Sequence, residues 1–211
     1  MQIEIWSDVI CPWCYIGKRR FEQALAAFPQ RDQVQVIWRS FELDPKAPRQ
    51  YPGTLEEMLA HKYNVSPQQA AGMNARVTGI AQEAGLEYRL SQARPGNTFD
   101  AHRLLHYAES KGLGDRATER MMQAYFSEAL PVGERAALAR LAPEFGVTEA
   151  EALTLLEGND YADAVRADEQ RATELGISGV PFFAFNGQFG VSGAQPVETF
   201  AEALREAAGH E

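Results

Sequence analysis

Apolar and polar residues alternate from the first positions of the chain. Gln2-Ile3-Glu4-Ile5-Trp6 sends successive side chains to opposite faces, which predicts a strand over residues 2–7. A second run rich in β-branched and aromatic residues, Gln33-Val34-Gln35-Val36-Ile37-Trp38-Arg39, predicts another strand. Between them Phe21, Ala24, Leu25 and Phe28 recur at i, i+3, i+4 and i+7, one apolar stripe along a helix. Strand, helix and strand within 40 residues form a βαβ unit, which favours parallel pairing of the two strands. Pro45, Pro48, Pro52 and Gly53 then mark a loop over 40–53.

From 54 to 176 the period is helical. Ser66-Pro67-Gln68-Gln69 is a capping box with proline at the first helical position, and Thr148 with Glu151 repeats the box. Apolar stripes recur at Val77/Ile80/Ala81/Ala84, Ala101/Leu104/Leu105/Ala108, Met122/Tyr125/Phe126/Ala129 and Leu138/Leu141/Ala142/Phe145. Tyr161, Ala164 and Val165 begin a last helix, and Gly112, Gly146 and Gly176 stand where helices end. The pattern then returns to strands. Residues 181–185 and 188–191 flank Asn186-Gly187, a pair suited to a two-residue hairpin turn, and Val197, Phe200, Ala201 and Leu204 line a final helix. The order βαβ, helices, ββα predicts an α/β protein of thioredoxin type. Residues 1–53 and 177–211 would form the thioredoxin-like domain and 54–176 an all-helical insertion.

Composition narrows the function. At 211 residues the chain suits one large domain or a small domain with an insertion, and it buries a core without covalent staples. Twenty Lys and Arg against 29 Asp and Glu leave a net charge of −9. That balance disfavours nucleic acid or an anionic membrane as partner, because both recruit basic residues. No apolar run reaches the roughly 18 residues of a membrane span. The opening residues lack the basic start and apolar stretch of a secretory signal, so the chain is expected to be cytoplasmic. Its two cysteines, Cys11 and Cys14, are too few for a disulfide scaffold.

Those two cysteines carry the chemistry. Cys11-Pro12-Trp13-Cys14 follows the first strand and opens the first helix, with Pro12 at the first helical position. Residues at i and i+3 on a helical turn lie about 5–6 Å apart, within disulfide-forming range. The unpaired N–H groups and dipole of the helix start stabilise a thiolate at Cys11, making it the attacking sulfur, with Cys14 as the resolving thiol. A zinc half-site or a pair of inert structural thiols are the alternatives. Zinc wants four ligands, and the chain has no further cysteine and only four histidines, so no metal is expected. Gly179-Val180-Pro181, directly before the phenylalanine-rich strand, is expected to hold a cis Val180–Pro181 bond beside the cysteines.

Four segments together resemble the DsbA family of thiol–disulfide oxidoreductases, and its cytoplasmic FrnE-like branch in particular. They are Ser7–Gly17, Asn97-Thr98-Phe99-Asp100-Ala101-His102-Arg103, Ser178–Phe183 and Val191-Ser192-Gly193-Ala194-Gln195. The resemblance implies Cys11 as nucleophile, Cys14 as resolving cysteine and Pro181 as the cis-proline, with Pro12, Trp13 and Val180 supporting the site. It implies no cofactor beyond the cysteine pair, and protein thiols and disulfides, or glutathione as co-substrate, for partners. Well-known periplasmic members carry His where this chain has Trp13, so their oxidising strength does not transfer. A sister branch, the glutathione-dependent 2-hydroxychromene-2-carboxylate isomerases and kappa-class transferases, supplies the alternative function. It typically has Ser at the position of Cys11 and Asp-Arg near Ala194-Gln195.

Other polar residues have a weaker claim. His102 and His106 are one helical turn apart but lack the intervening Glu of a zinc-protease motif. His102 is taken as a cleft residue on its match to the family segment. Asp8, three residues before Cys11, is expected to stabilise the loop or tune the cysteine pair, since a nearby carboxylate disfavours a thiolate. Lys18, Arg19 and Arg20 are expected on a solvated helix face, Trp6 and Trp38 within strands, and Trp13 exposed beside the sulfurs.

Overall fold

The computed structural model describes residues Met1–Gly209. In chain order the elements are β1 (Gln2–Ser7), α1 (Pro12–Ala26), β2 (Gln35–Ser40), α2 (Leu55–Tyr63), α3 (Pro67–Glu83), α4 (Phe99–Ser110) and α5 (Gly114–Glu128). There follow α6 (Arg135–Leu141), α7 (Glu149–Glu157), α8 (Ala162–Glu174), β3 (Phe182–Phe185), β4 (Phe189–Ser192) and α9 (Val197–Gly209). The fold is the expected α/β type. Two compact units result, Met1–Leu43 with Arg166–Glu211, and Asp44–Val165.

Both boundaries fall about ten residues earlier than 53/54 and 176/177. Side chains of α8 explain the shift. Asp168 accepts from Arg39 Nη1 at 3.0 Å and from the Ser40 N–H at 2.9 Å, and its carbonyl accepts from Trp6 Nε1 at 3.0 Å. These bonds tie the latter part of α8 to the sheet, whatever the helical periodicity suggests.

The first unit is built on a four-stranded sheet in the order β2-β1-β3-β4. β1 runs parallel to β2 and antiparallel to β3, so Ile5 faces Trp38 on one side and Phe183 on the other. Alternation on β1 divides the two faces. Ile3 and Ile5 join Phe21, Phe28, Phe183, Phe185, Phe200 and Leu204 in a core under α1 and α9. The Phe183 and Phe200 rings meet edge-to-face at 4.6 Å, a geometry that adds about 1 kcal/mol to area burial. Glu4 and Trp6 point to the opposite face, where Trp6 packs with Ala172, Ile177 and Ala184. Glu4 is only 4% exposed and holds Arg39 and Arg171 at 2.6 and 2.7 Å. Burial alone would raise its carboxyl pKa, but the two guanidinium groups outweigh it and bring it below the ordinary value.

Asn186 and Gly187, with φ of 49° and 67°, turn β3 into β4 as the sequence predicts. In the helical unit the boxes at Ser66/Gln69 and Thr148/Glu151 both form, and Thr54/Glu57 adds a third. Arg103 is 1% exposed. It donates to Asp100 Oδ1 and to the carbonyls of Leu155, Gly158 and Asp160, pinning the turn after α7. Among the described residues no helix is long and apolar enough to cross a membrane.

Candidate active site

Cys11 occupies the N-cap of α1 with extended backbone, and Pro12 takes the first helical position. The cap arises from the sequence, because Pro12 has no N–H to offer and its fixed φ suits a helix start. The Cys11 N–H bonds the Asp8 carbonyl at 3.1 Å and the Cys14 N–H bonds the Cys11 carbonyl at 3.0 Å, closing two successive turns. Both cysteines are free thiols. Their accessibility is small, 4% for Cys11 and 1% for Cys14, whereas Trp13 between them is 39% exposed.

The second wall of the site comes from the far end of the chain. The Val180–Pro181 peptide is cis. The Cys11 Sγ lies 3.6 Å from the Val180 carbonyl oxygen, at the long end of a thiol hydrogen bond. The Pro181 carbonyl accepts from the Gly193 N–H at 2.8 Å, joining this segment to the turn after β4. Asp8 is fully buried and its Oδ2 accepts from the Leu43 N–H at 2.8 Å, so it braces the turn that carries the cysteines. That is the loop-stabilising part expected of it.

The two thiols differ in environment. Burial pushes the Cys14 thiol well above its ordinary value of 9.0, and the neighbouring Cys11 sulfur pushes the same way. The Ser7 hydroxyl and the Asp8 backbone N–H oppose that shift without reversing it. Cys14 therefore stays protonated at neutral pH.

Cys11, Pro12, Trp13, Cys14, Asp8, Val180 and Pro181 thus belong to one unit, around one helix start. His102 belongs to the other unit, where it is 2% exposed on α4. Its former partner in the pattern, His106, stacks on Tyr161 with ring centres 6.4 Å apart.

The basic run on α1 departs from expectation. Lys18 is 1% exposed, its ammonium on Glu22 and 5.8 Å from the centre of the Trp38 ring. Position 18 lies one turn beyond Cys14 on the covered side of α1, so the long stem is buried and only the head finds polar partners. Arg20 donates to the Ala194 carbonyl at 2.7 Å and Arg19 pairs with Glu22, both of them half-buried. Gly17 is a further residue of α1 that bears on the site. A glycine inside a helix costs about 1 kcal/mol against alanine, and that cost was the signal for a packing role.

Comparison with known proteins agrees with this geometry. The chain is similar over 100% of its length to the probable DsbA oxidoreductase SCO1869 of Streptomyces coelicolor, at 44% identity and a TM-score of 0.95, covering 91% of that chain. A 2-hydroxychromene-2-carboxylate isomerase shares the fold at 14% identity and a TM-score of 0.73, with coverage of 100% and 97%. The cytosolic disulfide reductase DsbM of Pseudomonas aeruginosa shares it at 19% and 0.68, with both chains fully covered, and has also been solved with GSH. The family described as DSBA-like thioredoxin domain matches residues 2–205, and the chain belongs to that family.

Proposed function

We propose that the protein is a thiol–disulfide oxidoreductase of the FrnE-like branch, acting on protein disulfides through Cys11 and Cys14. The observation that carries this reading is the Cys11 sulfur at the N-cap of α1, 3.6 Å from the Val180 carbonyl, with a protonated Cys14 one turn behind it. The Cys11 thiolate attacks one sulfur of a substrate disulfide, forming a mixed disulfide and releasing the other sulfur as a thiolate, which takes a proton from water. Cys14 then loses its proton to solvent and attacks the Cys11 sulfur. The substrate sulfur leaves as a thiolate and is protonated, and a Cys11–Cys14 disulfide remains. Two electrons have passed from the cysteine pair to the substrate, and two equivalents of a thiol such as glutathione return them. The raised pKa of Cys14 serves this order, since it holds the resolving thiol back until a mixed disulfide exists.

An extended substrate segment finds backbone polar groups at Val180 on one side and the exposed Trp13 ring on the other. Glutathione as reductant is supported by the fold shared with DsbM, as is a cytoplasmic setting. The isomerase alternative is disfavoured by Cys11 and by Ala194-Gln195, where that branch carries Ser and Asp-Arg. Reduction of insulin disulfides with glutathione or dithiothreitol tests the proposal. The wild type is expected to turn over and Cys11→Ser to be inactive while folded. Glutathione binding with no disulfide turnover in the wild type would overturn it.

A further inference from the structure

We infer that Gly17 and Arg20 are positioning residues, holding the segment with the Val180 carbonyl against the Cys11 sulfur. The inference rests on the redox reading above for its consequence, but its geometry stands separately. Gly17 lies inside α1, where glycine is unfavourable by about 1 kcal/mol relative to alanine. A Cβ added there would sit 2.9 Å from Cγ of Pro181 and 3.5 Å from both Cα and Cβ of Ala194. The first distance is closer than carbon atoms tolerate. The Pro181 ring can move its Cγ only by changing pucker, and its carbonyl is bonded to Gly193. With Ala194 Cα and Cβ already in van der Waals contact beside it, whatever relief the pucker does not supply moves the backbone of the segment. Gly72 and Gly79 of α3 present the contrast, with open space where a Cβ would lie.

Arg20 supplies a second fixed point on the same helix. Three residues after Gly17, it shares its face, and its guanidinium holds the Ala194 carbonyl at 2.7 Å. Cys11 caps that helix. One rigid element thus carries the sulfur at its end and two contacts to the opposing wall along its side, about 9 Å and 13 Å further on at 1.5 Å per residue. The space between Cys11 and Val180 is set by the absence of a methyl group at position 17.

A disulfide in an extended polypeptide must fit that space, whereas a small disulfide without peptide groups approaches the sulfur without pairing with the Val180 backbone. The test is Gly17→Ala and Arg20→Gln, with Gly79→Ala as control. Each is assayed with insulin and with bis(2-hydroxyethyl) disulfide, together with crystal structures and thermal midpoints. Gly17→Ala is expected to lengthen the Cys11–Val180 separation and to lower kcat/KM for insulin about tenfold, chiefly through KM. Reaction with bis(2-hydroxyethyl) disulfide should change less than twofold. Arg20→Gln is expected to act in the same direction more weakly, and it keeps the test open if Gly17→Ala fails to fold. Gly79→Ala should match the wild type. An unchanged separation, an unchanged KM for insulin, or equal losses on both substrates tracking a lowered midpoint would overturn the inference. If the wild type reduces no disulfide at all, the redox reading fails instead, and the separation in the Gly17→Ala crystal structure still decides the positioning claim.

Discussion

The Cys14 thiol sits one helical turn behind Cys11, buried to 1% exposure, and its pKa is driven well above 9.0 by that burial and by the Cys11 sulfur. The two sulfurs of this pair thus stand in different surroundings. One sulfur is at the helix cap beside a backbone carbonyl, and the other is a neutral, almost fully covered thiol.

Alkylation should reveal the asymmetry directly. One equivalent of iodoacetamide at pH 7.5 is expected to modify Cys11 and leave Cys14 intact, as read by peptide mass mapping. Raising the pH to 8.5 should not bring Cys14 into reaction, because its thiol still lies below its own titration range. First modification at Cys14 would reverse the two assignments.

Trp13 stands between the two cysteines in sequence. It is 39% exposed and uncharged, so Trp13→His adds a titratable group at the same place. An imidazolium next to Cys11 favours the thiolate, and hence the reduced form, by about 1 kcal/mol at so open a position. With 30 mV corresponding to about 1.4 kcal/mol for two electrons, the reduction potential should rise by roughly 20 mV. The measurement is equilibration against glutathione at pH 6, where the imidazole is charged. A potential that stays level or falls would show that position 13 does not set the local field.

Much of this site was legible in the chain because its devices are local. Cys11-Pro12 defines a helix start by covalent geometry, Asn186-Gly187 defines a turn, and Ser66 with Gln69 defines a cap, each within four residues. What escaped depended on distant partners. A glutamate at position 4 scores as the polar half of an alternating strand. Its burial follows from Arg39 and Arg171, 35 and 167 residues away. Lys18 looks solvated in the pattern for the same reason, since the Trp38 ring under its ammonium is 20 residues away. The periodicity of α8 is continuous, so nothing local announces that Asp168 and Arg171 belong with the sheet.

Glu4 makes that distant network visible in acid. Its folded pKa is lowered, so its contribution to stability is complete above the ordinary value of 4.5 and is lost as pH falls through the folded value. Glu4→Gln should cost about 2 kcal/mol at pH 7, where charged hydrogen bonds to Arg39 and Arg171 are removed. The gap between wild type and variant should narrow steadily as pH is taken from 5 towards 3 in urea unfolding. A gap independent of pH would mean that shape, and not charge, accounts for the loss.

Arg103 gives the corresponding prediction for the helical unit. Its guanidinium meets Asp100 Oδ1 at 2.8 Å and the carbonyls of Asp160, Leu155 and Gly158 at 2.9, 2.7 and 2.8 Å. A planar fork reaches four acceptors in several directions, whereas a lysine ammonium is a single point with three donors. Arg103→Lys keeps the charge and still abandons some of those carbonyls in a buried place, at a cost of about 3 kcal/mol. For a chain of this size that lowers the thermal midpoint by on the order of 10 °C. Arg89→Lys, at an exposed pair with Glu87, should shift it by only about 1–2 °C. Equal shifts in the two variants would show that charge alone matters at position 103, and that the guanidinium does not hold the turn after α7.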